Sequence, residues 1–276
     1  MSGKVEARHG HILGLIRQRG YASNDELARQ LQVTVQTIRR DVNLLAEEGL
    51  VTRHHGGAGL VSSVENIAYA ERQVLNLPEK RAIARLAAAE IPNRSSIFLN
   101  IGTTTEAVAH ALLRHEDLRV ITNNLNVASL LARETRFPVI VAGGSVRSHD
   151  GGITGPWVSE MIEGFRADYG IIGISGIDED GTLLDFDEDE VRAARAIMRS
   201  AREVFLVTTH AKFGRRPLVR LGHVRELSAL FTDRTPPPGI AAMLREHGVR
   251  LRIAEMGRTE TDGREDGATP DGLPSH

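Results

Sequence analysis

The sequence predicts a two-part α/β protein, in which a small helical unit with a β-hairpin precedes a domain built on a parallel sheet. Two observations carry this prediction. Residues 6–59 contain helix patterns in close succession, followed by short β-like runs around Gly56-Gly57. From about residue 81, short apolar runs alternate with helical stretches, which is typical of a parallel α/β sheet.

The composition is that of a globular protein, with 276 residues that are 41% hydrophobic and 25% charged. No apolar run approaches the ~20 residues that cross a bilayer, and the N-terminus lacks the apolar core of a signal peptide. We therefore expect a cytoplasmic protein with no membrane segment. The absence of cysteine excludes disulfides and thiolate metal sites. Aromatic residues, at 4%, are too few for platforms that stack single-stranded nucleic acid.

The net charge of −2 is unevenly distributed along the chain. Residues 255–276 carry six acidic and two basic residues, are rich in Gly and Pro and show no apolar period. This composition predicts a disordered acidic tail. Residues 1–60 carry a net charge of +2. Because this excess is weak, any DNA binding by that segment must depend on where its charges lie.

Capping signals define the first helices. The spacing of Ser23 and Glu26 matches a capping box and predicts a short helix that ends near Leu31. Thr34 can cap the next helix through its hydroxyl, and Gly49 can end that helix. The short turn between them gives the helix-turn-helix arrangement.

The second of these helices has an apolar face and a polar face. At about 100° per residue, its apolar side chains form one core stripe. The other side groups residues that can contact base edges or phosphates: Thr34, Gln36, Thr37, Arg39, Arg40 and Asn43. The alternative is a face that is only solvated. The order of helices, turn and hairpin favours DNA binding.

The hairpin that follows would make this unit a winged helix-turn-helix. Arg53, His54 and His55 on the hairpin can add backbone or minor-groove contacts. The His pair also has a metal-site interpretation. No Cys or carboxylate at ligand spacing supports it, so no metal is expected.

A second candidate site begins in "FLNIGTTTEAVAHAL", residues 98–112, which predicts a strand, a tight turn and a helix. Gly102 lets the chain turn, and Thr103, Thr104 and Thr105 bring hydroxyls to the helix N-terminus, where free N–H groups favour an anion. The turn lacks the Gly-Lys-Ser/Thr ending of a Walker loop. The alternative is that the threonines serve only as helix caps.

Other predicted strands also end in polar residues. Asn123 and Asn124 follow "VIT", Gly144 and Arg147 follow "VIVAG", and Lys212 follows "EVFLVTTHA". Ligands of open α/β sheets bind at the carboxyl ends of the strands, so these residues can converge on one pocket. Individually, each Asn can be a helix cap and each cation a solvated side chain. Together they fit a small phosphorylated polyol better than a nucleotide, because GxGxxG is absent.

Carboxylates cluster in "GIDEDGTLLDFDEDEVRAARAI". Residues 187–189 are explained as charges in the first turn of a helix. Asp178 or Asp185 can instead face the hydroxyl groups of a ligand. A carboxylate opposite Lys212 is also what a sugar isomerase would use as a base.

The N-terminal motif resembles the DeoR family of bacterial transcription regulators, through "QTIRRDVNLLAEEG" followed by "RHHGGA". The resemblance implies a winged helix-turn-helix that binds double-stranded operator DNA as a homo-oligomer, a dimer or tetramer. The second part is similar to the effector-binding domain of that family. This implies a fold of the ribose-phosphate-isomerase-like type.

Within the family, "IGTTTEAVAHALL", "AGGSVRSHDGGITG" and "KFGRRPLV" resemble members that repress glycerol genes and are released by sn-glycerol 3-phosphate. The resemblance implies that partner here. One departure concerns the residues before Lys212, where such proteins commonly have Asp and Ser. This chain has Thr209, His210 and Ala211, and the loss of charge can alter ligand affinity.

We therefore expect a DNA-binding domain over 1–60, a linker over 61–74, an effector-binding and oligomerisation domain over 75–254 and a tail over 255–276. No cofactor is expected, and the expected partners are operator DNA and a phosphorylated polyol. Three alternatives stay open: an isomerase with an accessory DNA-binding domain, a repressor that responds to another sugar phosphate, and a DNA-binding protein whose second domain only oligomerises.

Overall fold

The computed structural model describes residues 2–19, 21–48, 50–54, 57–59, 69 and 72–255. Most of the predicted linker, and the predicted tail after Glu255, lie outside these residues. Among the helices of the described chain, none is long and apolar enough to cross a membrane.

The N-terminal unit has three helices and a small antiparallel sheet within the described residues. In chain order these are α1 (Ser2–Arg19), β1 (Tyr21–Ser23), α2 (Asn24–Leu31), α3 (Val35–Glu47), β2 (Thr52–His54) and β3 (Gly57–Gly59). The strand order is β1-β3-β2. The pairing of β2 with β3 confirms the predicted hairpin, while β1 was not predicted.

Both predicted helix caps are confirmed. Ser23 Oγ accepts a hydrogen bond from the Glu26 amide at 3.2 Å, and Thr34 Oγ1 accepts one from the Thr37 amide at 3.2 Å. These bonds satisfy N–H groups that a helix start leaves open. Gly49, the predicted stop for α3, lies outside the described residues.

The apolar stripes of the three helices meet in one core. Ile12 and Ile16 of α1, Leu27 of α2, and Ile38 and Leu45 of α3 are almost completely buried. Because the stripe of α3 is used here, its opposite side faces solvent.

A buried carboxylate also fixes α3 against α1. Asp41, only 3% exposed, accepts hydrogen bonds from Arg8 Nε at 2.6 Å and Arg8 Nη2 at 3.0 Å, and His9 Nε2 lies 3.2 Å from its Oδ1. Burial opposes ionisation, but the bonds from Arg8 and His9 hold the pKa of Asp41 below its ordinary value. The orientation of α3 thus depends on a paired charge as well as on apolar packing.

The second unit is a parallel sheet with helices on both faces. Its elements are α4 (Leu77–Ala89), β4 (Ser96–Leu99), α5 (Thr103–Ala111), β5 (Arg119–Thr122), α6 (Leu125–Glu134), β6 (Val139–Val141), β7 (Ser145–Val146), β8 (Ile153–Thr154), α7 (Pro156–Glu163), β9 (Ala167–Ile172), β10 (Gly176–Ile177), β11 (Thr182–Asp185), α8 (Glu188–Ser200), β12 (Ala201–Val207), β13 (Val219–His223), β14 (Ala229–Thr232), α9 (Pro238–Glu246) and β15 (Arg250–Ile253).

The main sheet has seven strands in the order β15-β14-β12-β9-β4-β5-β6. Every neighbouring pair is parallel, which confirms the predicted fold class. In β4, Ile97 and Leu99 join the core that includes α4 and α5, while Phe98 joins the opposite core with α7 and α8. Burial on both faces explains why these strands are continuous apolar runs.

The strand order places the switch point of the sheet between β4 and β9. The chain runs from β4 outward to β5 and β6, then returns to β9 on the other side of β4 and continues outward to β15. The loops after β4 and β9 therefore diverge, leaving a crevice at the carboxyl ends of the strands. In the loops beyond this edge, β7 pairs with β8 and β11 pairs with both β10 and β13, all antiparallel.

Removing the charge of Asp41 should loosen the recognition unit locally. For Asp41→Asn we expect the opening free energy of α3 amides to fall by roughly 2–3 kcal/mol, because Arg8 loses its charged acceptor. Hydrogen exchange of the full chain at pH 7 measures this. Glu47→Gln, at an exposed position of the same helix, should change exchange by less than about 0.5 kcal/mol. Equal effects of the two substitutions would contradict a structural role for Asp41.

Candidate functional site

The polar face of α3 is free to contact another molecule. Gln36, Arg39, Arg40 and Asn43 are exposed, and their side chains form no hydrogen bond or ion pair with any described residue. Thr34 and Thr37 lie at the helix start, with their hydroxyls 2.8 Å apart. This arrangement leaves two cations and two amides on one helix face, which suits the DNA major groove.

The wing is described only through its backbone. Arg53 and His54 lie on β2, opposite Ala58 and Gly57 of β3. His55 lies outside the described residues. The predicted contacts of these three side chains with DNA therefore stay predictions.

The turn after β4 leads directly to a helix N-terminus at the switch point. Gly102 has φ of 138°, a conformation that favours glycine, and no side chain caps the first N–H groups of α5. Thr103 and Thr104 are half-buried, and their hydroxyls bond to no other described residue. The positive end of the helix dipole and these open donors suit an anion.

In two of the predicted ligand residues, the side-chain oxygen is hydrogen-bonded to main-chain atoms. Thr105 is fully buried, and its hydroxyl lies 2.8 Å from the Asn100 oxygen and 2.6 Å from the Gly102 oxygen. Asn124 is also fully buried, and its Oδ1 caps α6 by accepting from Asn126 N at 2.9 Å and Val127 N at 3.3 Å. Both side-chain oxygens therefore stabilise the turns after β4 and β5 and are not available to a ligand.

Two buried amide oxygens beside this turn lack hydrogen-bond donors among the described residues. They are Oδ1 of Asn100, just after β4, and Oδ1 of Asn123, just after β5. The Nδ2 of Asn123 is used, since it donates to the Ile153 oxygen at 3.3 Å. Buried acceptors of this kind are costly unless a donor reaches them. They suit the hydroxyl groups of a bound polyol.

Arg147 is neutralised by neighbouring carboxylates. Its guanidinium pairs with Asp150 at 2.5 Å, with Asp187 at 3.6 Å and with Glu190. Burial and the charge of Asp185 raise the pKa of Glu190 to about 7 despite Arg147. Gly144 has a packing role, because a Cβ there would lie 2.5 Å from the Thr154 oxygen. The ion pairs of Arg147 therefore stabilise the loop after β6. Because the carboxylates balance its charge, Arg147 contributes little positive charge to a ligand site.

Asp178 is paired with a residue of the loop that carries Lys212. It pairs with Arg216 at 2.8 Å, and the adjacent Ile177 accepts a hydrogen bond from Gly214 N at 2.8 Å. Asp185 instead lies close enough to Lys212 to influence its charge. Of the two carboxylates that the sequence offers for ligand hydroxyls, Asp185 is the one beside the cations.

Lys212 belongs to a group of four basic residues that we call the cationic cluster: Arg72, Lys80, Lys212 and Arg215. Burial, together with the charges of Arg215 and Arg72, lowers the pKa of Lys212 well below its ordinary value. Burial and Arg72 also lower the pKa of Lys80 to about 8 and that of Arg215. Within the described chain, neither Lys212 nor Arg215 forms an ion pair with a carboxylate. Asp185 only partly offsets this positive charge.

Sequence reasoning missed Arg72, Lys80 and Arg215. Arg215 was within reach, because it follows Lys212 in "KFGRRPLV". Lys80 had no visible signal, because a lysine in the first turns of a helix is expected to be solvated. Arg72 lies in the predicted linker, far from Lys212 in sequence. No group of residues in the described chain is arranged to hold a metal ion.

Comparison with known proteins assigns both units to one family. Residues 8–64 match the DeoR-like helix-turn-helix domain, and residues 75–234 match the DeoR C-terminal sensor domain. The glycerol-3-phosphate regulon repressor of Escherichia coli (strain K12) is 49% identical over 250 residues, which is 91% of this chain and 99% of that protein. The HTH-type transcriptional repressor CsqR of the same organism is 46% identical over 248 residues, or 90% and 95% of the two chains.

Among solved structures, ribose 5-phosphate isomerase A from Neisseria gonorrhoeae is similar over 50% of this chain and 53% of its own, with a TM-score of 0.38 and 15% identity. The assignment of this chain to a family rests on the two domain matches and on the relatives that match over most of their length. The protein therefore belongs to the DeoR family of transcriptional regulators, with a helix-turn-helix DNA-binding unit followed by a sensor domain, and it is a regulator rather than an enzyme.

Proposed function

We propose that this regulator represses genes of glycerol and glycerol 3-phosphate metabolism, and that sn-glycerol 3-phosphate releases it from operator DNA. The observation that carries the proposal is the cationic cluster beside the uncapped N-terminus of α5. A phosphate group supplies the negative charge that this region lacks, and it can accept hydrogen bonds from several donors at once.

The polarity of the site favours a polyol phosphate. Lys212 and Arg215 would face the phosphate, and the hydroxyls of Thr103 and Thr104 would line it. Asp185 and the two unpartnered amide oxygens of Asn100 and Asn123 would accept hydrogen bonds from ligand hydroxyls. Arg147 and Asp178, which are paired with other side chains, would support these loops rather than bind ligand.

The identity of the inducer rests on the relatives. The repressors from Escherichia coli and Haemophilus influenzae that carry glycerol 3-phosphate in their names are each 49% identical to this chain. Thr209, His210 and Ala211, which stand where similar repressors commonly have Asp and Ser, directly precede Lys212. Thr209 is buried, and the amide of His210 donates to Asp233 Oδ1 at 2.6 Å. These residues would hold the turn that carries Lys212 without adding a carboxylate to the cluster.

Release requires a difference in ligand affinity between two conformations. A ligand that binds both equally shifts nothing, however tightly it binds. We propose that the phosphate-bound form is the poorer DNA binder. The protein would act in the cytoplasm as a homo-oligomer, because helix-turn-helix proteins commonly read two half-sites of an operator with two copies of the recognition helix.

Arg40→Ala should weaken operator binding while leaving ligand binding intact. We expect a loss of about 1–3 kcal/mol in operator affinity, because one contact to a base or phosphate disappears. A mobility-shift titration at fixed salt measures it. Arg85→Ala removes the same charge from an exposed position on α4 and should leave operator affinity nearly unchanged. Unchanged affinity for Arg40→Ala would reject the assigned recognition face.

Lys212→Ala and Thr103→Val should give repressors that bind operator but resist the inducer. Lys212 supplies charge, and Thr103 supplies a hydroxyl, so we expect the concentration of sn-glycerol 3-phosphate needed for release to rise about 10-fold or more for Lys212→Ala. Anisotropy of a labelled operator, titrated with ligand, measures release. Arg220→Ala, at an exposed position beyond the same loop, is the matched control. Normal release in both variants would rule out the proposed pocket.

Ligand affinity should fall as pH rises above about 8. The pKa of Lys80 is lowered to about 8 by burial and by Arg72, and a bound dianion would raise it towards its ordinary value. The complex then holds more protons than the free protein. Ligand affinity is therefore highest below pH 8, and it declines by up to about tenfold per pH unit between pH 8 and the pKa of Lys80 in the complex. Calorimetric titration from pH 7 to 9.5 tests this, with Lys80→Met expected to show a shallower decline.

A further inference from the structure

Four large apolar side chains are exposed at one corner of the sensor domain, and we call them the apolar rim. Their exposed fractions are 53% for Val146, 69% for Trp157, 55% for Phe186 and 92% for Leu218. Trp157 is the only tryptophan of the chain. A single exposed apolar residue is ordinary on a protein surface, whereas several that lie together mark an interaction site. The elements that carry these four residues bring them together.

Helix α8 sets the order of the rim. Arg199, near the end of α8, pairs with Glu163 at the end of α7, so the two helices run side by side in the same direction. Their first turns therefore lie at the same side of the domain, with Trp157 in the first turn of α7 and Phe186 just before α8. On its other flank, Arg195 of α8 donates to a main-chain oxygen of β13 at 2.8 Å. Helix α8 thus lies between α7 and β13.

Strand register places Leu218 beside Phe186. Asp185 of β11 is opposite Val219 of β13 in an antiparallel pair. One step further along this pair, Phe186 is opposite Leu218. Side chains opposite each other in an antiparallel pair are close enough to form one surface.

An ion pair brings Val146 to the same place. Arg147, which follows Val146 in β7, pairs with Asp187 at 3.6 Å, and Asp187 follows Phe186. The residues just before these two charged groups are therefore neighbours. The rim is a row that runs from the start of α7 to the start of β13, with Val146 and Phe186 in its middle.

We propose that the apolar rim is the surface through which two copies of this chain associate. A two-fold axis through the middle of the row brings Trp157 of one copy against Leu218 of the partner subunit, and the reverse pair forms at the other end. Tryptophan is enriched in interfaces and often carries much of their binding free energy. The inference rests on the proposed function, in which two copies read one operator, and it names the surface that joins them.

Charges beside the row suit the same two-fold arrangement. Glu160, one turn after Trp157 on α7, is exposed and forms no ion pair with any described residue. Arg216 lies two residues before Leu218, and 62% of its side chain is exposed although it pairs with Asp178. The two-fold axis places Glu160 of one copy at the end where the other copy carries its arginine. This complementarity favours a second copy of the chain as the partner.

The opposite edge of the main sheet is protected against association. At β15, Arg250 and Arg252 pair with Glu203 and Glu90. Charged side chains on an edge strand oppose pairing with another chain. The apolar rim lies away from this strand, at the other side of the sheet order.

The rim borders the candidate effector site. Phe186 directly follows Asp185, and Leu218 lies in the loop that carries Lys212 and Arg215. The same loops would therefore hold both the second copy and the ligand. A change in these loops on ligand binding would then reach the partner subunit directly.

The test uses the full chain and two substitutions, Leu218→Glu and Phe186→Ser, which leave Trp157 as a fluorescent probe. Leu218 has almost no contact within one copy, so its substitution should leave the circular dichroism spectrum unchanged. Ile253→Thr is the matched control, because Ile253 is 40% exposed on β15. Sedimentation equilibrium over a range of concentrations measures the mass, against 30.1 kDa for one copy. Tryptophan emission over the same range reports the burial of Trp157.

The wild type and Ile253→Thr should form dimers or larger assemblies, and the emission of Trp157 should move to shorter wavelength as the mass rises. Leu218→Glu and Phe186→Ser should raise the dissociation constant of the assembly about 10-fold or more. An operator is selected from a random library with the wild type. Both rim variants should bind one half-site of it as the wild type does, but should bind the complete operator more weakly.

Equal masses for the wild type and both rim variants would overturn the proposal, and so would an emission of Trp157 that stays constant as the wild type assembles. A wild type that remains a single copy at every concentration and on operator DNA would also refute it.

The inducer is tested separately, by adding sn-glycerol 3-phosphate to the wild type on operator DNA. If the ligand releases the wild type and the rim variants keep its mass, the rim is refuted and the proposed function stands. If the rim variants dissociate and the ligand releases nothing, the rim stands and the inducer is wrong.

Discussion

Positive charge gathered at the carboxyl edge of a parallel sheet is the constraint on which the sensor domain depends. Lys212 and Arg215 lie in the loop that follows β12, and Arg72 and Lys80 lie in the part of the chain that precedes β4. Asp185 opposes the charges of Lys212 and Arg215, and Glu106 and Glu79 oppose the charge of Lys80. Burying cations costs free energy unless an opposite charge accompanies them. The fold tolerates this cost at the switch point, where an anion can enter and the dipole of α5 also favours negative charge.

The DNA-binding unit treats its buried charge in the opposite way. Asp41 is paired with Arg8 and lies against His9, so its negative charge is satisfied within the unit itself. A satisfied pair fixes α3 in one orientation. In the sensor domain, Lys212 and Arg215 form no ion pair with any described carboxylate. One unit therefore has its buried charge paired within itself, and the other has cations that suit an anionic ligand.

Apolar patterning predicted most of the sheet, because strands buried on both faces are written as continuous apolar runs. It missed β15, whose sequence Arg-Leu-Arg-Ile alternates. The reason is physical: β15 is an edge strand, and Arg250 and Arg252 pair with Glu203 and Glu90 at the surface. The short β10, β11 and β13 were missed because two to five residues carry too little periodicity to separate a strand from a loop.

Site residues were predicted less completely than strands, because residue type does not reveal which partner a side chain will choose. Thr105 and Asn124 stand where the sequence placed them, after β4 and β5, but the Thr105 hydroxyl and the Asn124 Oδ1 are bonded to the backbone, and the Asn124 Nδ2 donates to Glu106. Arg147 lies near the acidic cluster and is neutralised by it. Its carboxylate partners Asp187 and Glu190 lie about 40 positions along the chain, so only the folded sheet brings the charges together. The same long-range folding brings Arg72, which lies in the predicted linker, close enough to Lys212 for its charge to lower the pKa of that lysine.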